Sequence, residues 1–454
     1  MLTICKNDKS KVKKQIQNKL LDGIVASNSN LVDDIILSML RVGVIDCIND
    51  GFEDRRRHNS FIPLNFIVTL AIAAKMKVKT SLTDIPFAIR DHRTLAELGY
   101  NAFSSDNDCG WLTEGTIRHL LGKYSALELF DGYNAIASSI MKKLGISPTI
   151  HIIDCTKIAV NFDNENYEQS SISIDRRGDK MRGYKIATLR GLFGTTGIIE
   201  EVRFGTATTN DILLSEDIIY NSPHLKEGDI LIMDRGYISR KMIKHLKEVK
   251  KIEVYFPLRQ HMAEYNMAID LANIYENWRP HPNRKNQMIH HIPKVDSLWD
   301  GNIIEHVLEL NTSVSWIEET QSYIVFATTD FDKSAEEIIE IYDIRTKIEE
   351  DFRQLKDFWK LEDFKSTKLH VISFHLVCVL LGYMFYQLYL NTEDGMKYVG
   401  KCLPVILKNY KTTFLNYLVL YSGEYFCIMS MREFLEFRDS CANDVRDYML
   451  EFFE

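Results

Sequence analysis

The order of apolar runs between residues 149 and 258 limits the fold more than any other feature of this sequence. Residues 149–154 (TIHIID), 185–193 and 198–204 have the apolar, β-branched texture of strands. The last two are joined by Gly194-Thr195-Thr196-Gly197, which has the composition of a hairpin turn. Residues 211–220 then read as a helix, 229–233 (DILIM) as a buried strand, 239–249 as a helix and 252–258 as another strand. Three strands, helix, strand, helix, strand is an α/β order, and it predicts a mixed sheet flanked by helices.

The flanks read differently. Residues 1–147 look helical, with apolar runs at 31–44 and 66–76. Thr113 is placed to cap a helix that runs to Leu144, before Gly145 and Pro148 break the pattern. Residues 259–317 interrupt the α/β order with Pro280, Pro282, Pro293, Trp278, Trp299 and short alternating runs, which predicts a β-rich insertion. The core resumes at 323–328 (YIVFAT) and continues into a long helix from 334 to about 359. The expected division is a helical region at 1–147, a split core at 148–258 and 318–395, the insertion at 259–317, and a helical region at 396–454. Residues 371–390 are long and apolar enough to raise the question of a membrane span. His375, Gln387 and several aromatic rings favour a buried core helix, so no membrane partner is expected. The eight cysteines form no CxxC pair, which suggests the scattered thiols of a reducing compartment. No apolar run follows the N-terminal charges, so a signal peptide is not expected and the cytoplasm is.

Chemistry is concentrated in the run IYDIRTKIEEDFRQLKDFW. On a continuous helix, Tyr342, Arg345, Glu349 and Lys356 would share an arc of about 60°. Ile341, Ile344, Ile348, Phe352 and Leu355 would form the apolar stripe beside them. Any one of those polar residues alone would read as a solvated surface side chain. Two aspartates change the weighing. Asp154 closes IHIID and Asp234 closes DILIMD, both runs too apolar to accommodate a carboxylate casually. A strand-end Asp is often a turn former. Two of them plus a helix carboxylate make a convergent triad, and three carboxylates can bind two hard cations. A net charge of −8 argues weakly against a nucleic-acid partner, but such a partner needs only a local basic face.

The pattern Tyr342-x2-Arg345-x3-Glu349-x6-Lys356 resembles the signature of bacterial DDE transposases of the insertion-sequence-4 family. Asp234-Arg235-Gly236-Tyr237 resembles that family's second aspartate block and Ile153-Asp154-Cys155-Thr156 its first. The resemblance spans residues 149 to about 390. It implies a ribonuclease-H-like core and ligation of Mg2+, with Mn2+ as a substitute, by Asp154, Asp234 and Glu349. It also implies phosphate contacts from Tyr342, Arg345 and Lys356 at the cleaved transposon end. The partners it implies are double-stranded DNA, as element ends and target, and a second copy of the chain in a synaptic homodimer. An insertion-domain tryptophan can stack on a flipped base in relatives, which makes Trp278 and Trp299 candidates, although tryptophan in a small β insertion is more often core.

Weaker signals remain. Arg176, Arg177, Lys180, Arg182 and Lys185 form a basic stretch that is either a solvated loop or a track for a DNA backbone; Arg182 and Lys185 are taken as DNA contacts. Arg55, Arg56, Arg57 and His58 pose the same choice. His281, His290 and His291 lack Cys partners and helical i,i+4 spacing, and a structural or surface role is expected. Gly191, Gly194 and Gly197 lack the Lys-Ser/Thr of a phosphate loop. Two rival functions stay open: a catalytically inactive or domesticated DNA-binding protein, and a nuclease of the same fold without strand transfer.

Overall fold

A computed structural model describes residues 5–56, 62–101, 112–174, 177–298, 308–409 and 417–453. Arg57, His58, Arg176 and Trp299 lie outside the described residues. The chain divides into two compact units, one of residues 145–354 and one of residues 1–144 with 355–454.

In the central unit the strands run β1 (Ile150–Ala159), β2 (Lys180–Phe193) and β3 (Thr196–Thr206). They are followed by helix α1 (Asp211–Asn221), β4 (Ile230–Met233), α2 (Arg240–Glu248) and β5 (Glu253–Pro257). These are the elements expected from the sequence, in the expected order. Their order across the sheet is β3-β2-β1-β4-β5. β1, β2 and β3 are antiparallel neighbours, whereas β1, β4 and β5 are parallel. That order and polarity make the core ribonuclease-H-like. The parallel strands are buried on both faces, which explains why IHII and ILIM read as unbroken apolar runs.

The insertion extends the same sheet. After helix α3 (Ala263–Tyr275) come β6 (Gln287–Leu298), β7 (Leu308–Ile317) and β8 (Ser322–Thr328). β8 lies antiparallel to β5, β7 to β8 and β6 to β7. With the short strands Ser171–Ile174 and Arg279–Pro280, ten strands make one sheet among the described residues. β8 would otherwise be an edge with unpaired backbone donors and acceptors, and the β6–β7 hairpin satisfies them.

The long helix expected from 334 onward is two helices, α4 (Ala335–Asp343) and α5 (Thr346–Asp357). A capping box of Ser334 and Glu337 starts α4. At the joint the amides of Ile344 and Arg345 bond three residues back, to Ile341 and Tyr342, at 3.2 and 2.9 Å. The Thr346 hydroxyl takes the Asp343 carbonyl at 2.8 Å. This is a tight 3₁₀ turn, made where a local side-chain donor competes for the helix ladder. The continuous-helix arc is therefore corrected: Tyr342 lies in the last turn of α4, Arg345 sits in the joint, and Glu349 rides on α5.

The second unit combines both ends of the chain. It holds helices Leu31–Arg41, Leu64–Met76, Glu114–Leu121, Ala126–Leu144 and Leu369–Leu390. Thr113 caps Glu114–Leu121 as expected, accepting the Thr116 amide. The run to Leu144 is nonetheless two helices. Ser125 and Glu128 exchange hydrogen bonds and start the second one afresh. The apolar helix Leu369–Leu390 meets the length and composition of a membrane span, but it is the buried centre of this unit. His375 on it bonds the Lys360 carbonyl at 3.0 Å. Unexpected in a region read as helical is a four-stranded sheet: Lys6–Asn7, Tyr425–Ser430, Tyr417–Ser422 and Gly23–Ala26, in that order. Strands of two to six residues, drawn from opposite ends of the sequence, are too short to impose a readable period.

At the start of β1, His151 is fully buried between Glu200 (2.7 Å) and Asp229 (3.3 Å). Burial pulls its imidazole down, but the hydrogen bonds and charges of the two carboxylates outweigh that and leave it above its ordinary 6.5. A raised histidine contributes stability that is fully present below the unfolded value and lost as pH rises through the folded one. The wild type's stability in urea unfolding is expected to fall as pH rises past the ordinary histidine value of 6.5. His151→Gln should lack that component. An identical pH dependence in the variant would assign the effect to other groups.

Candidate active site

Asp154 and Asp234 are brought together by register. Ile153 pairs with Met233 at the last parallel step between β1 and β4, so the two aspartates follow side by side. β1 itself continues to Ala159, paired only with β2, so Asp154 lies mid-strand and not at a strand end as the sequence suggested. The site forms where the parallel pairing stops, the usual location for chemistry in an α/β sheet. Asp234 makes no capping bond to the 3₁₀ turn Arg235–Tyr237 that follows it. The turn-former reading thus leaves its carboxylate unexplained. Tyr237 anchors that turn instead: its buried phenol donates to the Cys155 sulfur at 2.9 Å and accepts from Ser215 at 3.3 Å. Arg259 holds the carbonyls of Arg235 and Gly236.

Arg345 joins the three carboxylates. One Nη donates to Glu349 at 2.6 Å. The other donates to Asp154 at 3.2 Å and lies 3.9 Å from Asp234. Among the described residues no three His, Cys, Asp or Glu side chains cluster closely enough to hold an ion by themselves. The carboxylates meet through the guanidinium.

Their exposures differ in a useful way. The Asp154 carboxylate is 15% exposed, that of Asp234 34% and that of Glu349 54%, a gradient from the sheet outward. Burial pushes the Asp154 carboxyl up to about 6. Arg345 and the Cys155 amide oppose that shift, and the charges of Asp234 and Glu349 add to it. Tyr342 packs its ring on Phe326 at 5.0 Å. Burial raises its phenol, and Arg345, Asp234, Arg235 and Asp154 lie within electrostatic reach. Lys356 follows Glu349 by about two turns of α5 and pairs with Glu362 at 3.4 Å.

The basic stretch does not act as a group. Lys185 is buried, and its ammonium donates to the Thr209 carbonyl at 2.5 Å and to Asp211 at 2.7 Å, which ties β2 to the start of α1. Arg182 bonds the Phe162 carbonyl at 3.0 Å and reaches Glu165 at 3.5 Å. Arg177 and Lys180 are exposed. Trp278 packs edge-on to His290 and beside Tyr323, at 5.5 and 6.1 Å, and lies partly buried against the hydrophobic cluster that runs from the core sheet into the insertion. His281 accepts the amides of Asn283 and Arg284, and His291 bonds Asn311, so these histidines are structural as expected. The Gly194 turn is the hairpin between β2 and β3, with φ +56°.

Sequence reading missed the pair that holds α5 in place. Arg190 on β2 forms a buried ion pair with Asp351 on α5, two residues from Glu349. A Cβ at Gly197 on β3 would overlap the Arg190 guanidinium, which would have to move to admit it. The available signal was an arginine inside the apolar strand run ATLRGLF, which has to find a buried anion.

Residues 147–385 match the family model described as the transposase DDE domain. No curated protein matches the sequence. Among solved structures, the chain is similar to a piggyBac transposase synaptic complex with hairpin DNA, at a TM-score of 0.44 and 10% identity over 94% of this chain and 87% of that one. A likeness that loose carries no argument about the site.

Removing one member of a buried ion pair strands the other, at a cost of about 3–5 kcal/mol. Asp351→Asn is therefore expected to lower unfolding stability by roughly that amount. Arg190→Met combined with Asp351→Leu should recover most of the loss. Equal stability of Asp351→Asn and wild type in urea unfolding would show that the pair does not hold α5.

Proposed function

The chain belongs to the transposase DDE-domain family, and on that premise we propose that it cuts and joins DNA at a divalent-metal site made by Asp154, Asp234 and Glu349. The observation that carries the reading is the convergence of these three carboxylates on one cationic group, Arg345. The donor chemistry fits: all three ligands are hard oxygens, suited to Mg2+ with Mn2+ as a substitute. Bound there, divalent cations would activate the attacking oxygen and stabilise the leaving one.

The substrate is double-stranded DNA carrying the terminal inverted repeats of the element, and the finer assignment is a bacterial insertion-sequence-4 transposase working by cut and paste. In the first step water attacks the phosphorus at the element's end and the P–O3′ bond breaks, leaving a 3′-hydroxyl and a 5′-phosphate. In the second, that hydroxyl's oxygen attacks a target phosphodiester. A new O3′–P bond forms and the target's own 3′-oxygen leaves; the attacking hydroxyl's proton passes to solvent and the leaving oxygen takes one back, so no net proton is released. Each step exchanges one P–O bond for another, so neither a protein nucleophile nor an energy-rich cofactor is required.

The chain's own residues hold the DNA in line. Arg345 offers a planar fork to a phosphate and Lys356 a point charge. Tyr342, fixed against Phe326, adds a neutral donor. Arg182 is a backbone contact at the margin; Lys185, held by Asp211, acts by supporting α1. Residues 1–147 would read the element's ends and residues 396–454 would join two copies in a synaptic homodimer.

The test is cleavage and strand transfer on DNA bearing the element's ends, with Mg2+. Glu349→Gln is expected to bind that DNA normally but to cut it about a thousandfold more slowly, a barrier increase of about 4 kcal/mol. If the wild type binds the ends yet never cuts with Mg2+ or Mn2+, the protein is a DNA-binding protein and the catalytic reading falls. Cleavage without joining would make it a nuclease. Lys356→Ala should weaken DNA binding without regard to sequence and lower the salt slope by about one. An unchanged slope would remove Lys356 from the phosphate contacts.

A further inference from the structure

Arg345 stands where the proposed metal would have to be. Its guanidinium is the point on which Asp154, Asp234 and Glu349 converge, at 3.2, 3.9 and 2.6 Å. Only 17% of the side chain is exposed, and its Nε is buried without a hydrogen-bond partner. Among the described residues, the hydrogen bonds of the fork run from its two Nη groups to Glu349 and Asp154.

We propose that Arg345 is the exchangeable counter-ion of the carboxylate triad: it neutralises the site without metal, and divalent metal binds by displacing it. This rests on the metal-site reading above. Three carboxylates gathered at the end of a sheet repel one another, and a single guanidinium relieves part of that repulsion. The same guanidinium competes with an incoming cation twice. It occupies carboxylate oxygens, and its positive charge raises the energy of a second cation beside it.

The position of Arg345 in the chain suits exchange. It lies in the 3₁₀ joint between α4 and α5, one turn before Glu349 and three residues after Tyr342. A rotation of its own side chain can withdraw the fork while the helices that carry Tyr342 and Glu349 stay in place. Once displaced, the guanidinium regains its planar donors beside Tyr342 and is free to grip a phosphate. Metal loading and phosphate binding then become linked steps: each favours the other, because both draw on the same release of Arg345.

The test measures Mn2+ binding to the full-length protein without DNA, from the electron paramagnetic resonance signal of free Mn2+ during titration. Arg345→Gln is expected to bind Mn2+ about tenfold more tightly than wild type, and Arg345→Lys by a smaller factor in the same direction. Circular dichroism establishes that each variant is folded, and Arg345→Lys carries the test if the glutamine variant is not. Unchanged or weaker Mn2+ binding in the folded variants overturns the exchange while leaving the metal site intact. Failure of wild type and variants alike to bind Mn2+ overturns the metal reading itself, and the exchange with it.

Discussion

A carboxylate in the interior of a sheet must be answered by a cation, and much of the central unit is arranged around that requirement. Asp154 lies mid-strand, in a position where burial pushes its carboxyl toward neutrality. The answer comes from Arg345, nearly two hundred residues along the chain. Arg345 reaches Asp154 only because α5 is seated on the sheet, and α5 is fixed there by another buried exchange of charge, Arg190 with Asp351. The Arg190 guanidinium of that pair lies over the bare backbone of Gly197 on the neighbouring strand. The geometry of the candidate site therefore depends on a chain of charge compensation that passes from β1 to the helical joint, along α5, and back into β2 and β3.

The core was legible where a period or a boundary was long enough to read. Five strands and two helices of the central unit follow the expected order, since IHII, ILIM and VYF are buried runs bounded by turn residues. The three carboxylates were legible as a pattern, through two aspartates in unsuitable surroundings and a glutamate with polar company on a helix. What could not be read was the partner of each charge. Sequence spacing places Arg345 near Glu349, but only the fold brings Asp154 and Asp234 to the same guanidinium. Lys185 shows the converse. It sits in a basic run, which suggests a surface, yet its strand turns it inward to Asp211.

Local competition explains the remaining departures. Thr346 and Ser125 each offer a side-chain group to the backbone and divide helices that apolar periodicity reads as continuous. The Thr346 case matters for the site, because the resulting 3₁₀ turn places Arg345 between two helices and not on the face of one. The insertion departs in another way. Its β structure was expected, but its continuity with the core sheet depends on the edge that β8 offers, which no local signal encodes.

The small sheet in the second unit has a consequence for how the molecule is made. Lys6–Asn7 pairs with the strand Tyr425–Ser430, and Gly23–Ala26 with Tyr417–Ser422. As the chain leaves the ribosome, the first two strands emerge before the central unit and their partners after it. The entire central unit can be synthesised and can close its own core in the interval. The earlier strands must meanwhile wait with unpaired backbone, and a chain cut short before residue 417 would have its central sheet finished and its other unit not.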